Sequence, residues 1–69
     1  MDMRLINPLS HTQVEILRLV NVGHSNRQIA DELGITVATT KWHLYQVFTK
    51  LYVTNRSSAA ARGRQLGLL

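Results

Sequence analysis

The sequence predicts an all-α domain of four helices. Three observations carry that expectation. Apolar residues recur at helical spacing along the chain. Turn signals separate the patterned segments at short intervals. The chain has 69 residues, room for one domain, and no repeat, low-complexity tract or internal linker breaks it. A chain this short buries only about 60% of the surface its unfolded form exposes, so its stability margin is thin.

The first helix is expected to start after Pro8-Leu9, with Ser10 as N-cap and Gln13 at capping-box spacing. Ile16, Leu17 and Val20 form its apolar stripe, and Gly23 ends it. Residues 1–7 precede it and read as a flexible arm, leaving 8–69 as the folded domain. The second helix opens at Ser25 with Gln28 three residues on, and carries Ile29, Ala30 and Leu33. Gly34 stops it, because a tight turn between helices needs a residue that tolerates positive φ.

The third helix, about residues 37–51, follows Thr36 as N-cap. Val37, Thr40, Leu44, Val47, Phe48 and Leu51 fall within an arc of roughly 100° at about 100° per residue. Thr40 is the polar member of that core stripe. Ala38, Trp42, Tyr45 and Thr49 cluster on the opposite side, with Lys41 beside them. Trp and Tyr ordinarily supply core area. Here the chain's single Trp and one of its two Tyr point outward. They form either a contact surface for a ligand or a face covered by the fourth helix or a partner. The fourth helix spans about 55–66, with Ala59, Gly63 and Leu66 on one face and Ala60 beside it. Its small side chains imply close packing or room for a partner. Leu68 and Leu69 are expected to be part-buried.

Charge narrows the function. Eight Lys and Arg face four Asp and Glu, a net charge of +4 and a pI near 10.4. All four acids lie in the first 32 residues, which net −1, while residues 33–69 hold five basic residues, no acid and a net of +5. A one-sided basic half suits a polyanion, because Lys and Arg displace counterions from phosphates. The chain has no cysteine, and His11, His24 and His43 lack metal-ligand spacing, so no metal is expected. No phosphate-cradling loop, nucleophile elbow or paired-carboxylate constellation is present, so neither enzymatic activity nor a cofactor is expected. No apolar run approaches the ~20 residues a bilayer helix needs, and residues 1–9 have no apolar core of the kind a signal peptide carries, so none is expected there. A cytoplasmic, nucleoid-associated location is the expectation, without a small-molecule ligand or a membrane.

Two helices joined by a tight Gly turn, the second with a polar outward face, make a helix-turn-helix arrangement. The segments Pro8-Leu9-Ser10, Glu15-Ile16-Leu17, Gly23-His24-Ser25-Asn26-Arg27-Gln28-Ile29-Ala30, Leu33-Gly34-Ile35, Thr39-Thr40-Lys41-Trp42-His43, Lys50-Leu51, Asn55-Arg56 and Gly67-Leu68-Leu69 sharpen this. In that order and spacing the chain resembles the LuxR-type (GerE, or NarL/FixJ output) helix-turn-helix domain of bacterial transcription regulators. The resemblance covers residues 8–69. It implies duplex DNA as partner, the third helix in the major groove, and the fourth helix as a dimerisation element.

The resemblance places Lys41, Trp42 and Tyr45 toward base edges or the adjacent backbone, with Ala38 on the same face. Lys41 suits guanine or a phosphate, and the Trp42 ring suits a thymine methyl. Ser25, Asn26, Thr36, Thr39, Lys50 and Arg56 are the candidate phosphate anchors. For Ser25 and Thr36, capping and phosphate binding can coexist. Arg27 reads as a partner of Asp31 at i+4, and His43 as a packed, hydrogen-bonded histidine. Ala60, Gly63 and Arg64 are the candidate residues of a weak homodimer. The rival expectation is a protein-interaction module, in which Trp42, Tyr45 and the fourth helix dock on RNA polymerase or another regulator. The chain departs from the family pattern in three places. Thr12-Gln13 replaces Arg-Glu, removing an expected salt bridge. Thr40 replaces Val or Ile. Tyr52 replaces a Gly, which would strain the backbone if φ there is positive.

Overall fold

The computed structural model describes residues 8–69; the arm expected over residues 1–7 lies outside them. Four helices follow in order: α1 (His11–Asn21), α2 (Asn26–Leu33), α3 (Val37–Leu51) and α4 (Arg56–Gln65). There is no strand among the described residues, as the periodicity predicts.

Each helix starts on a side-chain cap. Ser10 Oγ accepts from the Gln13 N–H and Ser25 Oγ from the Gln28 N–H, and both glutamine side chains return an acceptor to the cap N–H. These are the two expected capping boxes. Thr36 caps α3 and Asn55 caps α4 in the same manner, each satisfying a backbone donor that the first turn leaves free. Each helix also ends alike. The N–H groups of His24, Ile35, Val53 and Leu68 reach back five residues to a carbonyl of the last turn. The residue before each of these has positive φ. Three of the four are glycines; the fourth is Tyr52, at φ 58°.

The buried residues form two linked clusters. Ile16, Val20, Ile29 and Leu44 join α1, α2 and α3. Leu17, Val47, Leu51 and Ala59 join α1, α3 and α4. Phe48 packs on both. Adjacent residues of α1, Ile16 and Leu17, therefore feed different clusters. Burying such side chains contributes about 1.5–3 kcal/mol each. Thr40 is fully buried in this apolar setting, and its hydroxyl donates to the Thr36 carbonyl at 3.0 Å. The hydroxyl on the core stripe is thus satisfied within its own helix.

Candidate nucleic-acid interface

The core stripe of α3 fixes what the helix shows outside. With Thr40, Leu44, Val47 and Leu51 inward, Ala38, Lys41, Trp42, Tyr45 and Thr49 are all exposed. Trp42 is 58% exposed and Tyr45 is 67% exposed, and no other element covers them. The Trp42 ring meets the half-buried His43 ring edge to face, with centroids 5.0 Å apart and 71° between the planes. His43 is packed, but its Nδ1 is buried with no hydrogen-bond partner among the described residues. The expected hydrogen bond of this histidine is therefore not seen.

The expected phosphate anchors separate into three groups. Ser25, Thr36 and Thr39 are exposed at the starts of α2 and α3, where Thr36 and Thr39 share a hydroxyl–hydroxyl bond of 3.0 Å. Asn26 and Arg56 are joined. One guanidinium nitrogen of Arg56 donates to Asn26 Oδ1, and the other donates to the His24 carbonyl at 2.6 Å. This ties the start of α4 to the start of α2. A groove of about 340 Å³ lies beside the pair, lined by Asn26, Lys41, Leu44, Tyr45, Phe48 and Arg56. It brings two candidate base-reading residues together with two candidate anchors. Lys50 stands apart: its ammonium donates to Gln13 Oε1 at 2.8 Å and to the Pro8 carbonyl at 3.3 Å. These bonds join the end of α3 to the start of α1.

The candidate dimer residues are largely used inside the chain. Ala60 and Gly63 are buried. A Cβ added at Gly63 would lie 2.8 Å from Leu17 Cδ2 and 3.2 Å from Leu69 Cδ1, so the missing side chain lets α4 approach α1. At Gly63, close packing against α1 accounts for the missing side chain. Arg64 is exposed and donates to Asn21 Oδ1 of α1. Arg27 lies 3.8 Å from Asp31, the pairing expected from their spacing.

The sequence matches the family model described as bacterial regulatory proteins, luxR family, over residues 7–62. The chain belongs to the LuxR family. It is a LuxR-family helix-turn-helix domain of the kind found in transcriptional regulators. It is 46% identical over 57 residues to the HTH-type transcriptional regulator AlkS of Alcanivorax borkumensis, covering 83% of this chain and 6% of that protein. It is 38% identical over 61 residues to AlkS of Ectopseudomonas oleovorans, covering 88% of this chain and 7% of the relative. The chain therefore spans only a small fraction of these relatives. The solved structure of the response regulator ChrA, from a heme-sensing two-component system, superposes with a TM-score of 0.89 at 41% identity, covering 96% of this chain and 33% of that one.

Two departures from the LuxR pattern have visible consequences. Gln13 Oε1 accepts from both the Ser10 N–H and Lys50, so an amide stands where a carboxylate would complete a salt bridge. Tyr52 takes a left-handed conformation that a glycine would adopt without strain. The Arg56–Asn26 and Lys50–Gln13 links join residues 30 and 37 positions apart, and no local pattern in the sequence announces them.

Proposed function

We propose that this LuxR-family domain binds duplex DNA sequence-specifically, with α3 in the major groove, as part of a transcription regulator. The uncovered Lys41-Trp42-Tyr45 face of α3 is the observation that carries the reading. A major groove about 12 Å wide admits a helix, and this face presents a cation and two polar-tipped aromatics to it. Lys41, Trp42 and Tyr45, flanked by Ala38, meet base edges. Ser25, Thr36 and Thr39 hold phosphates from the helix starts, where free N–H groups and the helix dipole favour an anion. Asn26 and Arg56 flank the groove and fix the backbone through their shared bond.

Dimerisation on DNA uses α4 around Ala60, Gly63 and Arg64, of which Arg64 is the exposed member. The absence of acids after Glu32 leaves this part of the domain uniformly basic, which suits a phosphate backbone. Among the described residues no helix is long and apolar enough to cross a membrane.

The test is titration with mixed genomic DNA fragments at two salt concentrations, followed by sequencing of what is retained. A short enriched motif, lost at high salt, is the expected result. Exposure of two adjacent aromatics also favours a second reading, a protein-docking face for RNA polymerase or another regulator. Failure to retain DNA at low salt would refute the first reading and leave the second to be tested at Trp42. Retention without any motif would refute sequence-specific recognition.

A further inference from the structure

The exposed side of α3 has a one-sided chemistry. Lys41 offers only donors, Trp42 offers one donor and a broad apolar ring, and Ala38 offers carbon. The hydroxyls of Tyr45 and Thr49 both donate and accept, so they favour no base. The face holds no carboxylate, since the last acid in the chain is Glu32. It holds no fully exposed amide either. Gln46, one turn on from Trp42 at the rim of the face, is half-buried, unlike Lys41, Trp42 and Tyr45. Asn26 Oδ1, at the edge of the adjoining groove, already accepts from Arg56.

In the major groove, guanine presents two acceptors, and thymine presents one acceptor and a methyl group. Adenine and cytosine each present an amino donor, which a carboxylate or amide reads best. Donors and apolar carbon therefore match guanine and thymine. The indole meets the His43 ring edge to face at 5.0 Å and still leaves more than half of its surface exposed. An open apolar ring is what a single methyl can pack on.

Resting on the DNA-binding reading above, we propose that this domain selects keto bases: guanine through the Lys41 ammonium, and thymine through its C5 methyl packed on Trp42. A cytosine carrying the same C5 methyl shares that contact.

The experiment starts from duplexes selected out of a random library by the 69-residue chain. Each thymine of the selected site is then replaced singly by deoxyuridine, which removes the methyl and nothing else. At one or more positions the affinity should fall about fourfold, the worth of one buried methyl group. Cytosine placed there should bind more weakly still, and 5-methylcytosine should recover about fourfold over cytosine. Trp42→Ala should bind thymine and deoxyuridine duplexes equally. Lys41→Ala should lose discrimination at a guanine and keep the methyl effect. The thymine-to-deoxyuridine comparison needs only the unaltered chain, so it stands even where a variant folds poorly. A flat deoxyuridine scan on a site that the chain still selects would overturn the methyl contact while leaving DNA binding intact. Loss of all duplex binding at low salt would overturn both.

Discussion

Gly34 and Tyr52 hold the same left-handed backbone at the ends of consecutive helices, at φ 68° and 58°. A Cβ in that region costs of order 1–2 kcal/mol, partly offset because glycine loses more backbone freedom on folding. A Cβ at Gly34 would touch nothing within 4 Å, so Gly34→Ala tests conformation alone and should cost about 1 kcal/mol. Tyr52 needs one more step. It is 76% exposed, so about a quarter of the ~200 Å² of such a side chain is covered. That is about 50 Å², or about 1 kcal/mol at ~25 cal/mol per Å². Tyr52→Gly relieves the strain and forfeits this contact, so it should leave stability nearly unchanged. Tyr52→Ala forfeits the contact and keeps the strain. The glycine variant should therefore exceed the alanine variant by about 1 kcal/mol, or roughly 4–8 °C in Tm for a domain of this size. Thermal and urea unfolding of the three variants beside the unaltered chain provide the measurement. Equal stability of the two Tyr52 variants, with Gly34→Ala still destabilised, would show that residue 52 is not left-handed in solution.

Four further outcomes follow from contacts already described. Gln13→Glu keeps the capping acceptor, pairs with Lys50 and places an acid in the first turn of α1; urea unfolding should show a gain of about 0.5–1 kcal/mol. Thr40→Val leaves the Thr36 carbonyl satisfied by the Thr40 backbone N–H, so stability should change by less than about 1 kcal/mol. Arg56→Met leaves the half-buried His24 carbonyl and Asn26 side chain without their donor, and should cost about 1–3 kcal/mol. Lys50→Met should weaken the fold by about 1 kcal/mol yet leave the salt dependence of DNA binding unchanged. A drop of about one in the slope of log affinity against log salt would instead restore Lys50 as a phosphate contact.

The helices were legible because their signals are local. Ser10 with Gln13, and Ser25 with Gln28, are read three residues apart, and the structure forms the bonds that spacing predicts. The core stripe of α3 follows from its period, and so does the outward direction of Trp42 and Tyr45. Long-range commitments were not legible. Nothing near Lys50 in the sequence announces that its ammonium reaches Gln13 and Pro8. A small-residue helix face looks the same whether it meets another chain or, as at Gly63, the Leu17 side chain. Periodicity reports which face is apolar; it does not report which element fills the space opposite.

The punctuation of the four helices bears on time as well as energy. Every start is closed by a bond spanning three residues, and every end by one spanning five. None of these closures waits for a distant segment to arrive. Chains dominated by such short loops lose little entropy in reaching the transition state, and helical domains of this kind fold in microseconds to milliseconds. Once unfolded, the domain can therefore refold within milliseconds, and its helices regain their boundaries from residues they carry themselves.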